Sequence, residues 1–111
     1  MTPNKEDYLK CIYEIGTEMQ KISNKEIAAR MQVSPPAVTE MIKRMKSENL
    51  ILKDKENGYL LTDIGLKLVS ELYRKHRLIE VFLVHHLDYT SDQIHEEAEV
   101  LEHTVSDLFV K

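Results

Sequence analysis

The residues best suited to chemistry lie near the end of the chain, in the stretch from His95 to His103. This stretch holds four glutamates, has a histidine at each end, and contains no lysine or arginine. Carboxylates and imidazoles without thiolates suit Mn²⁺ or Fe²⁺, with Zn²⁺ or Co²⁺ as substitutes. A divalent cation would offset a negative charge that nothing in the stretch compensates.

The charge of the chain is divided unevenly between its two parts. Residues 78–111 carry eight acids and one base, a net charge of −7, whereas residues 1–77 carry 14 bases and 11 acids, a net charge of +3. All five histidines lie at or after position 76. This asymmetry predicts a different partner for each part.

Helical spacing groups the candidate ligands. If residues 95–103 continue as one helix, a rotation of about 100° per residue puts four of them on one face, beside a separate apolar arc. An earlier helix offers a second pair one turn apart. An acidic helix is often only a solvated face, and His-x-x-x-Glu recurs by chance, so a solvated surface is the alternative to a metal site. The grouped residues are His95, Glu99, Glu102 and His103, and the earlier pair is His76 and Glu80.

Composition limits the class of protein. The chain has 111 residues, of which 42% are hydrophobic and 31% charged, which is typical of one folded domain or of a DNA-binding unit with a short appendage. No apolar run reaches the roughly 18 residues of a membrane helix, and no signal peptide opens the chain. Cys11 is the only cysteine, so an internal disulfide is excluded and a reducing cytoplasm is favoured.

Few glycines and prolines, with long helical periodicity, predict a mainly α protein. Ser23 to Glu26 predicts a capping box, and Ser34-Pro35 predicts a helix start. Asn57-Gly58 predicts a tight type I′ hairpin turn, because both residues accept positive φ. The predicted elements are helix 1 over 4–19, helix 2 over 24–31, helix 3 from 35 to about 48, a two-stranded wing over 51–61, helix 4 over 63–86, and helix 5 from a cap at Thr90 or Ser91 to the end of the chain.

Two short helices joined by a tight turn and followed by a hairpin are typical of a winged helix-turn-helix. In helix 3 an apolar side holds Val38, Met41, Ile42 and Met45, which leaves the opposite side for DNA. Proline and alanine can contact thymine methyls, glutamate can accept from cytosine, and hydroxyl and basic groups can hold phosphates. The predicted DNA-binding residues are Ser34, Pro36, Ala37, Thr39, Glu40, Lys43 and Arg44 in helix 3, Arg30 before it, and Lys53 and Lys55 in the wing.

The candidate metal ligands and DNA-binding residues occur together in a known protein family. The chain resembles the metal-dependent repressors of the diphtheria-toxin-repressor and manganese-transport-regulator family. The resemblance rests on matching stretches in the family's order along essentially the whole chain. They are Glu6-Asp-Tyr-Leu, Val33-Ser-Pro-Pro-Ala-Val-Thr, Leu61-Thr-Asp-Ile-Gly65, Arg74-Lys-His-Arg-Leu-Ile-Glu80 and His95 to His103.

The resemblance implies a homodimer that binds palindromic operator DNA when Mn²⁺ or Fe²⁺ is bound. It implies a winged helix-turn-helix over 1–62 and a helical metal-binding and dimerisation region over 63–111, incomplete because family members continue further. The glutamate at position 99 resembles the residue found there in the manganese branch of the family. Lys10, however, stands where that branch has a further glutamate ligand, which favours two separate metal sites over a two-metal cluster. The implied primary site is Asp7, Glu99, Glu102 and His103, and the implied ancillary site is His76, Glu80 and His95.

Two other classes compete with a metal-dependent repressor of metal-uptake genes. One is a metal-independent winged-helix protein whose acidic helix is only a solvated surface. The other is a His/carboxylate metalloenzyme, for which the sequence offers no nucleophile and no signature of a small-molecule substrate pocket. We therefore expect no enzyme activity, no membrane partner and a location in the cytoplasm.

Overall fold

A computed structural model describes residues 4–18, 20–87 and 91–104, without the side chains of 85–87 and 91–92. The chain divides into two compact units, Met1–Val69 and Ser70–Lys111. The fold is mainly helical, with a winged helix-turn-helix at its start, as predicted. Its elements are α1 (Lys5–Thr17), α2 (Asn24–Met31), α3 (Pro35–Ser47), β1 (Ile51–Asp54), β2 (Gly58–Leu61), α4 (Asp63–Leu87) and α5 (Ser91–Leu101).

The first unit is built on an apolar core to which each of its first three helices contributes. Leu9, Ile12 and Ile15 of α1 and Ile27 of α2 are fully buried. Of the predicted inner side of α3, Val38 and Met45 are 0% exposed and Ile42 is 4% exposed, whereas Met41 at its margin is only half-buried. This packing fixes which side of α3 faces solvent.

Side-chain caps set where the first three helices begin. The Ser34 hydroxyl accepts the Ala37 N–H at 3.3 Å, with proline at the first helical position, as predicted. Ser23 accepts the Glu26 N–H at 3.1 Å. A complete capping box forms instead at α1, where the side chains of Asn4 and Asp7 each accept the other residue's N–H at 3.1 Å.

The turn of the wing differs from the prediction. β1 and β2 pair antiparallel with Asp54 opposite Gly58, so residues 55–57 form the loop, and within the wing only Gly58 has positive φ, at +83°. The prediction of a two-residue type I′ turn was therefore wrong. The Asp54 carboxylate accepts the N–H groups of Glu56 at 3.1 Å and Asn57 at 2.8 Å, which stabilises the wider loop.

The wing is also fixed to the chain just before α2. The Ile22 N–H donates to the Asn57 carbonyl at 2.9 Å. A Cβ added at Gly58 would lie 2.0 Å from the Ile22 carbonyl oxygen, so any larger residue would force the two segments apart. The glycine is thus required both by its φ and by this close approach.

The second unit contains most of α4 together with α5. Ile79 and Leu83 of α4 pack with Ala98 of α5 in a small core, and Leu101 joins it from the side. The prediction that α5 runs to the end of the chain was wrong, because it ends at Leu101 and residues 102–104 form a turn. The turn is held by a bond from the Thr104 N–H to the Leu101 carbonyl at 3.0 Å, three residues back rather than the four of an α-helix. Residues 105–111 lie outside the described residues.

The single thiol gives a first testable prediction. Cys11 is 6% exposed, and burial, followed by the nearby Glu14 carboxylate, raises the pKa of its thiol to about 11. Only the thiolate is nucleophilic, so near pH 8 the folded protein should react with Ellman's reagent at least about a hundredfold more slowly than a free thiol does. Absorbance at a series of pH values checks this, with the chain unfolded in guanidinium as the control. An equal rate in the two states would contradict it.

Among the described residues, none of the helices combines the length and the hydrophobicity that crossing a bilayer requires.

Candidate metal centre

The centre of the second unit is the contact between His76 of α4 and Glu102 of the turn after α5. The His76 Nδ1 atom and the Glu102 Oε2 atom lie 2.8 Å apart, within hydrogen-bond distance. The Glu102 side chain is 0% exposed and the His76 side chain 12% exposed. The second carboxylate oxygen of Glu102, Oε1, lies 3.4 Å from the Nε2 atom of His103. Both oxygens of a fully buried carboxylate therefore face imidazole nitrogens.

Three further ligand-type side chains surround His76. Its Nε2 atom lies 3.4 Å from Glu80 Oε1, and its Nδ1 atom lies 3.8 Å from Glu99 Oε1. His95 lies 3.6 Å from Glu99 and 4.0 Å from Glu80, measured between imidazole nitrogen and carboxylate oxygen. We refer to this set as the His/Glu cluster: His76, Glu80, His95, Glu99, Glu102 and His103.

His76 belongs to two groups of donors that are each compact enough to hold one cation. One group is His76, Glu80 and His95, and the other is His76, Glu99 and Glu102. In each group the ligand atoms lie within 4.8 Å of one another. The predicted ancillary residues are thus together, whereas Glu99 and Glu102, assigned to the primary site, also approach His76. The sequence did not reveal this sharing, because i,i+4 spacing pairs residues on one helix and says nothing of which helices pack.

The donors in the cluster fit a divalent cation. Burying a carboxylate is costly unless a positive or hydrogen-bonding partner is present, and Glu102 is wholly buried. Nitrogen and oxygen donors without sulfur match the preferences of Mn²⁺ and Fe²⁺. Each imidazole can offer one ring nitrogen to a metal only when that nitrogen is deprotonated, so the contact that each ring makes through its other nitrogen sets the tautomer.

The helical wheel placed His95, Glu99, Glu102 and His103 on one face, and in the structure His95 lies beside Glu99 and His103 beside Glu102. Among its four residues, exposure of the side chain ranges from 69% at His95 to 0% at Glu102. Although α5 ends at Leu101, the Glu102 N–H still donates to the Ala98 carbonyl at 2.9 Å, the spacing of an α-helix, and the Glu102 side chain is buried. The acidic stretch is therefore not simply a solvated face.

Asp7, the remaining predicted ligand, lies in the first unit at the third position of α1. One of its oxygens accepts the Asn4 N–H at 3.1 Å in the capping box. The pattern Asn4-x-x-Asp7 was present in the sequence and could have predicted this role. Asp7 thus has a structural function in addition to the one that the family resemblance implies.

The predicted DNA-binding residues of α3 all face solvent. The exposed set, which includes the residue that caps the helix, is Ser34, Pro36, Ala37, Thr39, Glu40, Lys43 and Arg44, and Lys53 and Lys55 are exposed on the wing. The hydroxyl of Thr39 donates to the Pro35 carbonyl at 3.2 Å and accepts from the side-chain amide of Asn24 at 3.4 Å.

Arg30 differs from the other predicted DNA-binding residues. Its Nε donates to Glu26 at 2.8 Å, and its Nη2 donates to Glu18. These two carboxylates raise the pKa of Arg30, and Arg30 lowers that of Glu18. The guanidinium already has two anionic partners within the protein, and a phosphate would have to replace them.

Comparison with known families matches both parts of the chain. The family model described as iron dependent repressor, N-terminal DNA binding domain, matches residues 1–59. The model described as iron dependent repressor, metal binding and dimerisation domain, matches residues 62–111.

Individual relatives agree with these matches. The HTH-type transcriptional regulator MntR of Bacillus pumilus is 30% identical over 105 residues, which is 95% of this chain and 72% of that protein. The structure of the manganese regulator SloR is 69% identical with a TM-score of 0.84, covering 99% of this chain and 51% of that one. The structure of ScaR with bound Zn²⁺ is 77% identical with a TM-score of 0.90, and the match covers 97% of this chain and 50% of that one. The chain thus spans about half the length of these solved structures.

Proposed function

The chain belongs to the iron-dependent repressor family, and on that basis we propose that it represses transcription when a divalent metal is bound by its His/Glu cluster. Members of this family are repressors rather than enzymes. The proposed targets are metal-uptake genes, read from double-stranded operator DNA in the cytoplasm.

The observation that carries the proposal is the position of His76. A buried Glu102 carboxylate lies on one side of its ring, at 2.8 Å, and Glu80 on the other, at 3.4 Å. The ligand atoms of Glu99 and Glu102 lie within 4.8 Å of each other in the group around His76, and like charges this close repel one another unless a cation or protons intervene. A bound cation would supply fixed positive charge at this point. The residues themselves set the position of that charge, because α4 and the end of α5 hold the two carboxylates on either side of one imidazole.

We propose Mn²⁺ as the preferred metal, with Fe²⁺ second and Zn²⁺ or Co²⁺ as substitutes. The absence of sulfur among the six donors supports this order. ScaR, which is 76% identical in its metal-free structure, is described as a manganese-activated repressor. The proposed ligands are the members of the His/Glu cluster, together with Asp7, which the family resemblance implies.

The DNA-reading surface is proposed to be the exposed side of α3 with the wing. Pro36, Ala37 and Glu40 lie on the exposed side of the first two turns of α3, where a recognition helix meets base edges. Ser34, Thr39, Lys43 and Arg44 would hold phosphates. We leave Arg30 out of this surface, because Glu18 and Glu26 already bind its guanidinium.

A homodimer would let the protein read a palindromic operator. Four large apolar residues in the second half of α4 are between 37% and 48% exposed, which is unusual for a protein that stays monomeric. They are Leu78, Val81, Phe82 and Val84. These side chains support a second copy of the chain as the partner.

The test is a pull-down of fragmented genomic DNA in parallel with Mn²⁺ and with a chelator. We expect a shared palindrome to be enriched only with Mn²⁺. Glu102→Gln should lose this enrichment, whereas Glu96→Gln, which removes an exposed carboxylate of α5 outside the cluster, should keep it. Equal enrichment with and without metal would instead favour the metal-independent DNA-binding protein.

A further inference from the structure

The recognition helix, the wing and α4 meet at one short junction in the first unit. Residues 48–50 connect α3 to β1, and the single residue Thr62 connects β2 to α4. The pairing of Ile51 with Leu61 brings these two connections side by side. Both of the elements proposed to read DNA are therefore joined to the start of α4 at this junction.

Asn49 reverses the direction of the chain at the end of α3. Its φ is +60°, and its N–H donates to the Lys46 carbonyl at 3.1 Å. The Leu50 N–H donates to the Met45 carbonyl at 3.0 Å. These two bonds form a Schellman motif, which satisfies the last carbonyl groups of a helix. The Asn49 carbonyl takes part in neither bond, and it is the group to which Thr62 attaches.

The Thr62 hydroxyl holds two elements at once. It donates to the Asn49 carbonyl at 2.6 Å and accepts the Gly65 N–H at 3.1 Å, which caps the start of α4. The Thr62 N–H adds a bond to the Leu50 carbonyl at 3.0 Å. A side chain must both donate and accept to make the two hydroxyl bonds, and an ionised carboxylate could make just the second of them. Capping α4 and holding the end of α3 are therefore separable properties of this residue.

The helix that starts at this junction continues into the second unit. α4 begins in the first unit and runs from Asp63 to Leu87, and in the second unit it carries His76 and Glu80 of the His/Glu cluster. Each turn of a helix is hydrogen-bonded to the next, so a displacement at one turn is passed along the axis. A change in α4 on metal binding would therefore reach Thr62, and through Asn49 the end of α3.

We propose that Thr62 is a positioning residue that couples metal binding in the second unit to DNA reading in the first, by fixing the start of α4 to the end of α3. This inference concerns the regulation of the proposed repressor and rests on that function. Thr62 belongs to one of the stretches that match the family, but the resemblance implies neither a metal ligand nor a DNA contact at this position.

The test compares the affinity for DNA in Mn²⁺ with that in chelator, by fluorescence anisotropy on the duplex recovered in the pull-down. The ratio of the two affinities measures the coupling between the metal and DNA sites. We expect Thr62→Val to lower this ratio by about tenfold, the effect of losing two hydrogen bonds of ordinary strength, and to leave the affinity in chelator unchanged. The affinity of the DNA-free protein for Mn²⁺, measured by electron paramagnetic resonance, should also stay unchanged, because Thr62 lies outside the His/Glu cluster.

Two further substitutions separate coupling from helix capping. Thr62→Asp keeps an acceptor for the Gly65 N–H but cannot donate to Asn49, so it should lower the ratio as Thr62→Val does. Thr62→Ser keeps both bonds and should retain the wild-type ratio. The matched control is Thr17→Val, which removes an exposed hydroxyl that donates to the Glu14 carbonyl at 2.8 Å within α1, and it should also retain the ratio.

The possible failures can be told apart. A wild-type ratio in Thr62→Asp would show that Thr62 acts as a helix cap at most, and it would overturn the coupling role while leaving metal-dependent DNA binding intact. Thr62→Asp preserves the cap, so it decides the question even if circular dichroism shows that Thr62→Val does not fold. If the wild-type protein binds the duplex equally well in Mn²⁺ and in chelator, the proposed function itself is wrong and the role of Thr62 falls with it.

Discussion

Replacing His76 with glutamine should remove most of the stability that Mn²⁺ confers on the folded chain. His76 is the one residue common to the two donor groups of the cluster. At a Mn²⁺ concentration of about a thousand times the Kd, binding stabilises a protein by about 4 kcal/mol. A hundredfold loss of affinity, the upper end of what losing only an outer partner of a ligand costs, reduces this to about 1.4 kcal/mol. Loss of a direct ligand should reduce it further.

Glutamine is preferred to alanine because of the buried Glu102 carboxylate. His76 Nδ1 lies 2.8 Å from this group, and removal of the partner would leave it buried and unsatisfied at a cost of about 1–3 kcal/mol. A glutamine amide can still donate a hydrogen bond while offering no imidazole. The measured quantity is the difference in Tm between Mn²⁺ and chelator for each variant, which cancels any change in the metal-free fold.

His95→Gln is the matched comparison. His95 belongs to only one of the two donor groups and its side chain is 69% exposed. We expect it to lose part of the Mn²⁺-dependent rise in Tm, and less than His76→Gln loses. A Mn²⁺ effect of wild-type size in His76→Gln would show that the metal lies elsewhere, and the shared position of His76 would then have no role in binding.

The sequence predicted the parts of the fold that depend on local signals. Ser34 caps α3 because a hydroxyl beside proline can satisfy a helix N–H at little cost, and this signal lies within four residues. The inner side of α3 followed from a 3.6-residue period, since Val38, Ile42 and Met45 occupy one side of a regular helix. Such features need no knowledge of the rest of the chain.

The features that were missed depend on distant contacts. Asn57-Gly58 favours a two-residue turn in isolation, yet the Asn57 carbonyl accepts from Ile22, which is 35 positions earlier, and Asp54 binds the loop N–H groups. Likewise, Glu102, just after α5, meets His76 of α4 at 2.8 Å, a contact between residues 26 positions apart. A wheel drawn on one helix predicts which of its residues share a face, but not which other helix packs against that face.

The second large effect is expected at Gly65, in the first turn of α4. A Cβ added there would lie 2.1 Å from the backbone carbonyl oxygen of Leu50 and 3.3 Å from a methyl carbon of Leu61. The first of these is backbone, so it cannot move aside as a flexible side chain could. Gly65→Ala should therefore displace α4 from the start of the wing.

The contacts that would be lost are concentrated at Thr62. Its hydroxyl donates to the Asn49 carbonyl at 2.6 Å and accepts the Gly65 N–H at 3.1 Å, and its own N–H donates to the Leu50 carbonyl at 3.0 Å. Overpacking usually costs about 1–3 kcal/mol, and loss of a cap adds about 1 kcal/mol. We expect Gly65→Ala to lower the free energy of unfolding by about 3 kcal/mol or more, and Tm by on the order of 10–20 °C.

Gly16→Ala is the control, because the same substitution meets no obstacle there. Gly16 is an exposed residue of α1, and an added Cβ would lie 3.6 Å from the Ile22 side chain, an ordinary contact distance. Alanine there reduces the conformational freedom of the unfolded chain, so it should raise stability by about 0.5 kcal/mol. Urea unfolding followed by circular dichroism measures both variants. If Gly65→Ala were as stable as Gly16→Ala, the close approach of α4 to Leu50 would not be what fixes the helix to the wing.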